Sequence, residues 1–148
     1  MRVLVDTNVL GRISQPTHAM HATAVRAVTI LRDAQHELRI VPQVLYEYWA
    51  VATRPADQNG LGLTIEETEA NLLGFKAVFP PLRDERGIVE RWQRLVVAHR
   101  VQGKPTHDAH LVAAMERHGL SHLLTFNSAD FTRFASVQIL DPTLVAKT

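Results

Sequence analysis

The run Val3-Leu4-Val5, followed at once by Asp6, constrains this chain more than any other stretch. A short run of branched apolar residues with no polar alternation reads as a strand buried on both faces. Such strands belong to parallel sheets covered by helices. A carboxylate placed directly after the run gains nothing from packing. In open parallel α/β sheets, ligands bind outside the carboxyl ends of the strands. Asp6 therefore falls where a fold of this kind keeps its chemistry.

The rest of the chain alternates in the same style. The first strand covers residues 2–5, and a helix is expected over residues 17–36, with Ala24, Val28 and Leu31 on one face. A second strand over residues 38–41 is closed by Pro42, and a helix over residues 43–53 ends at Arg54-Pro55. Residues 56–63, with Asn59-Gly60 and Gly62, read as a loop. Thr64 with Glu67 forms a capping box that opens the next helix, and Pro80-Pro81 breaks it. Ile88, Trp92, Leu95, Val96 and His99 line one helical face. After the Gly103-Lys104-Pro105 turn, a helix over residues 106–118 stops at Gly119. Strands are expected at residues 120–126 and 137–140. This alternation predicts an α/β fold, a three-layer parallel sheet of four to five strands with helices on both faces, as one domain over residues 1–148.

Composition removes several classes of function. At 148 residues, with 46% apolar and 21% charged residues, the chain can build one real core. No apolar run approaches the ~20 residues of a membrane span. The first residues carry no signal-peptide pattern. There is no cysteine, so disulfides and thiolate metal sites are excluded, and a cytoplasmic location is expected. Net charge is only +1, so a nucleic-acid partner would need a local basic patch or metal ions.

Four acidic positions point to one place. Glu47 is the only charged residue of its helix and shares a face with Val44, Tyr48 and Val51. A lone carboxylate on such a face meets a cation, pairs with an arginine at the helix edge, or faces a cleft. Asp108 stands in a first helical turn, where an acid also favours the helix dipole, yet it shares a face with Leu111, Val112 and Met115. Asn127 and Asp130 follow the strand that ends in Thr125, where a capping turn is the ordinary alternative. Clustered carboxylates raise one another's pKa unless a cation intervenes. Oxygen-only clusters select hard ions such as Mg²⁺ or Mn²⁺, which activate water in phosphodiester cleavage.

Val5-Asp6-Thr7-Asn8 near the start, Glu47 in an apolar helix, His107-Asp108-Ala109, and Thr125-x-Asn127-x-x-Asp130-Phe131 together resemble a PIN domain. The length, with the Thr53-Arg54-Pro55 … Asn59-Gly60-Leu61-Gly62 loop, is similar to VapC-type toxins of toxin–antitoxin pairs. The resemblance spans essentially the whole chain and implies an Mg²⁺- or Mn²⁺-dependent endoribonuclease. It implies Asp6 and Asp108 as metal ligands, with Glu47 completing the site or positioning the attacking water. Asp130 would act directly or through water. Asn8, Thr125 and Asn127 would orient the carboxylates. Many family members carry an acid where this chain has Asn127, which lowers the charge available for a second metal position. The resemblance further implies an RNA substrate, a cognate antitoxin and a homodimer.

Other features carry less. Arg12, Arg54 and Lys104 border the expected active edge and are candidates for phosphate contact, or else ordinary solvated charges. His107 and His110 stand three apart with no third histidine at a ligand-like offset, so a histidine metal site is not expected. Trp49 and Trp92 suit core or dimer packing better than base stacking. A non-catalytic RNA- or protein-binding module remains the alternative, kept open by Asn127. A haloacid-dehalogenase-like phosphatase would need a second aspartate two positions after Asp6, where Asn8 stands, and a phosphotransfer receiver would need a lysine after a strand.

Overall fold

A computed structural model describes residues 1–148. Four parallel strands form one sheet: β1 (Arg2–Val5), β2 (Glu37–Arg39), β3 (His122–Leu124) and β4 (Gln138–Leu140). Seven α-helices surround them: α1 (Thr7–Ile13), α2 (His21–Asp33), α3 (Pro42–Thr53), α4 (Ile65–Val78), α5 (Ile88–Ala98), α6 (Thr106–His118) and α7 (Pro142–Val145). Parallel strands need crossover connections, and the helices supply them. This is the α/β architecture expected from the alternation, with four strands.

The spatial strand order is β2-β1-β3-β4. From β1 the chain moves to one side to form β2, then returns past β1 to form β3 and β4. The order therefore reverses between β1 and β3, which opens a crevice at their carboxyl ends. Val3, Leu4 and Val5 are fully buried, as a two-faced central strand requires. They anchor a continuous core with Val44, Tyr48, Val112, Leu123 and Phe131. The strand edge is polar by contrast. Arg2 and Arg39 both bind Glu37, at 2.8 and 2.7 Å. They hold its carboxyl down at about 2.

Several boundaries differ from the sequence expectations. The helix expected over residues 17–36 is α2, which begins at His21. The residues before it form turns, in which the Met20 amide donates to His18 Nδ1 at 3.0 Å. It ends at Asp33; beyond it Gln35 takes a left-handed φ of 65°, and the His36 amide returns to the Leu31 carbonyl. The second strand lies at residues 37–39 rather than 38–41, because the charged pair Glu37 and Arg39 alternates around buried Leu38. Ile40 makes only an isolated bridge to Pro81. The third strand is confined to residues 122–124. Leu120 is spent on closing α6 through its bond to Met115, and Thr125 and Phe126 begin the following turn. Helices α1 and α7 were not expected. Asp6 and Asp141 cap them, and both side chains accept backbone amides. The Thr64/Glu67 capping box of α4 and the left-handed Gly119 stop of α6 are present.

Candidate active site

Asp6 ends β1 and caps α1 at the same time. Its Oδ1 accepts the Thr7 amide at 2.7 Å. Its Oδ2 accepts the Thr125 hydroxyl at 2.8 Å and Asn8 Nδ2 at 3.2 Å. Asn8 Nδ2 also reaches Thr125 Oγ1 at 3.0 Å, and Asn8 Oδ1 accepts the Phe126 amide at 3.0 Å. Thr125 Oγ1 in turn accepts the Asn127 amide at 3.0 Å. The carboxyl ends of β1 and β3 are thus stitched together around one carboxylate. Asp6 is only 7% exposed, and that burial pushes its carboxyl up to about 6. Hydrogen bonds from Thr125 and Thr7 pull the other way, while the charge of Glu47 adds to the rise.

Glu47 projects from α3 toward the same place. Thr7 Oγ1 donates to its Oε2 at 3.1 Å, and Gln43 Nε2 donates to its Oε1 at 2.7 Å. Asp108 stands in the first turn of α6. Burial raises its carboxyl to about 6, and the charges of Asp130, Asp6 and Glu47 reinforce the shift, against a lowering by His107. Asp130 lies in a short 3₁₀ turn, Ser128–Phe131, directly after β3. The four carboxylates therefore share one field although they come from four separate elements. None of them is in an ion pair with an arginine or lysine.

Asp6, Asn8, Glu47, Asp108, Asn127 and Asp130 line a single open cleft of about 620 Å³. Arg12 and Lys104 stand on its walls, whereas Arg54 is an exposed loop residue outside the lining. The Arg12 guanidinium donates to Gln15 Oε1 at 2.9 Å. The loop carrying Asn59, Gly60 and Leu61 also lines the cleft. That loop folds back on the end of α3 through bonds from Leu61 to Val51, Gly62 to Arg54 and Leu63 to Ala52. Trp92 is partly buried and its indole donates to the Thr106 carbonyl at 3.0 Å, which ties α5 to the start of α6.

No three His, Cys, Asp or Glu side chains close around one point as they stand. The histidines do not form a site of their own. His110 Nδ1 meets Gln43 Oε1 at 2.5 Å, and His118 Nε2 meets the Arg83 carbonyl at 2.7 Å. Thr7 and Gln43, the two side chains that hold Glu47, were not singled out from the sequence. Gln43 was discoverable there, because a residue four positions before Glu47 on one helix is its neighbour.

A model of the PIN domain family matches residues 3–137. No curated protein matches this chain as a sequence relative. Among solved structures, VapBC2 from Rickettsia felis, bound to a promoter DNA fragment, superposes with a TM-score of 0.69 at 14% identity, over 95% of this chain and 100% of that one. VapBC-1 from nontypeable Haemophilus influenzae gives 0.68 at 14% identity, over 97% and 99%. VapC20 from Mycobacterium tuberculosis, a sarcin–ricin loop cleaving toxin, gives 0.65 at 19% identity, over 89% and 95%. At such identities the likeness is one of fold. With the family match extending over nearly the whole chain, this protein belongs to the PIN domain family.

Proposed function

We propose that this protein is a divalent-metal-dependent endoribonuclease and the toxin of a toxin–antitoxin pair. The observation that carries the reading is the cluster of Asp6, Glu47, Asp108 and Asp130 in one cleft, with no basic partner to neutralise it. Two of these acids are raised to about 6 by burial and mutual repulsion. A site held in that condition favours a cation. Every donor is an oxygen, which suits Mg²⁺ or Mn²⁺. Mg²⁺ keeps several waters and is commonly held by one or two carboxylates, so a cluster that does not close as a cage still fits it.

Asp6 and Asp108 would hold the ion. When bound, it supplies Lewis-acid polarisation and offsets charge on the phosphodiester. Glu47 would complete the metal site, or accept a hydrogen bond from the attacking water and so orient it. Asp130 would assist directly or through water. Arg12 and Lys104 bind the RNA backbone and bring the scissile phosphate over the carboxylates. Asn8, Thr125 and Asn127 keep the carboxylates and the β3 turn in place.

The partner reading rests on the company the fold keeps. VapBC2 and VapBC-1 share it, as does a toxin–antitoxin complex from Klebsiella pneumoniae, at a TM-score of 0.62 and 21% identity. A cognate antitoxin and self-association as a homodimer follow by analogy. No helix is long and apolar enough to cross a membrane.

The test is cleavage of structured RNA by purified protein with Mg²⁺ or Mn²⁺, beside Asp6→Asn and Asp108→Asn. Cleavage by wild type alone supports the reading, and equal cleavage by all three overturns it. Unimpaired RNA binding with no cleavage would instead identify a binding module, for which Asn127 in the cleft is the favouring feature.

A further inference from the structure

We infer that Gln43 is a positioning residue that fixes Glu47 and ties it to the Asp108 end of α6, with His110 as its brace. The inference rests on the nuclease reading of the same cleft. Gln43 sits one turn before Glu47 on α3. Its Nε2 is 2.7 Å from Glu47 Oε1 and 2.7 Å from the carbonyl oxygen of His107, the residue before Asp108. A backbone carbonyl and a carboxylate can only accept, so the amide nitrogen must face them and spends both of its hydrogens there. Gln43 Oε1 then faces His110 Nδ1 at 2.5 Å. His110 must therefore carry a proton on Nδ1. An amide whose orientation is ordinarily ambiguous is here determined by its partners.

The residue type suits the task. Glu47 is gripped on its other oxygen by Thr7 Oγ1 at 3.1 Å, so both oxygens have neutral donors. Neutral donors orient a carboxylate without discharging it. A lysine or arginine in place of Gln43 would compete with a bound cation, and an acid would repel Glu47. The same amide also donates to the His107 carbonyl, so the side chain that grips Glu47 is itself anchored at the start of α6.

The test uses Gln43→Met, which keeps length and removes the donors. Mn²⁺ affinity measured by calorimetry should fall ~10–100-fold, with kcat for RNA cleavage falling alongside and KM little changed. In a Glu47→Gln background the same substitution should cost no further Mn²⁺ affinity, because Gln43 acts through Glu47. A merely structural tie between α3 and α6 would instead give an additive loss. His110→Leu, which leaves the amide in place but unbraced, should shift affinity in the same direction by less and serves should Gln43→Met not fold. Wild-type Mn²⁺ affinity in a folded Gln43→Met protein, or additivity with Glu47→Gln, overturns the inference. Wild-type protein that cuts no RNA would fail the nuclease reading, while the Mn²⁺ titration would still decide Gln43.

Discussion

The Thr125 hydroxyl donates to Asp6 Oδ2 at 2.8 Å, joining two strand ends that lie 119 positions apart in the chain. Both residues are buried, and Thr125 is fully so. The bond holds the carboxylate at the point where the strand order reverses, and it opposes the burial that raises the carboxyl.

Thr125→Val removes that bond and leaves Asp6 less stabilised as an anion. Its carboxyl should rise further, so half-maximal Mn²⁺ binding should move to higher pH. Activity or metal affinity should drop ~10–100-fold, as for other groups that orient ligands. Calorimetric Mn²⁺ titrations at several pH values check this, and an unchanged pH profile would count against it.

Asp6 and Asp108 are both raised from about 3.8 to about 6 on folding. Such acids hold a proton better in the native state than when unfolded. Their contribution therefore becomes unfavourable as pH climbs through that interval, and it stays unfavourable above it. Metal-free Asp108→Asn should thus gain melting temperature over wild type as pH goes from about 4 to about 7. Mn²⁺ should raise the wild-type melting temperature at the upper pH and do little at the lower one. Thermal melts with chelator or Mn²⁺ test both statements; a pH-independent difference between the two proteins would contradict the assignment.

Gly60 has no room for a side chain. A Cβ there would lie 1.9 Å from the Arg54 carbonyl oxygen, against backbone rather than a movable side chain. Gly60→Ala should therefore displace the cleft-wall loop, lower the melting temperature and reduce RNA cleavage. Gly74 provides the control, since a Cβ in that exposed stretch of α4 meets nothing within 4 Å. Gly74→Ala should stabilise by ~0.5–1 kcal/mol through helix propensity, measured by urea unfolding.

Tyr48 is fully buried, yet its hydroxyl is 2.7 Å from Ser14 Oγ and accepts Asn71 Nδ2 at 3.1 Å. Tyr48→Phe removes both bonds: the Ser14 hydroxyl keeps its bond to the Leu10 carbonyl, and half-buried Asn71 loses its Tyr48 partner. A loss of ~0.5–1.5 kcal/mol is expected. Denaturant unfolding should show a lower midpoint with an unchanged slope.

The chain announces its central strand, its two-faced burial and the acids that end its elements, because these are local. Val3-Leu4-Val5 needs no neighbour to read as buried, Thr64 and Glu67 cap their own helix, and Gly119 stops its own. Helix α1 escaped because Asp6 reads first as the end of a strand, although it caps the helix in the same step. The true limits of β2 escaped because Glu37 looks like a loop residue until Arg2 on the neighbouring strand is set beside it, and because apolar Ile40 and Val41 read as strand although Ile40 makes only an isolated bridge.

By itself, then, the sequence determined an α/β sheet with carboxylates at its carboxyl edge. Only the tertiary structure decided that Asp6, Glu47, Asp108 and Asp130 face one cleft, that Arg54 stays outside it, and that Gln43 grips Glu47 from one side while Thr7 grips it from the other. The physical reason is range. Periodicity and capping are written within a few residues, whereas hydrogen-bond partners and repelling charges are chosen by packing between elements up to 119 positions apart.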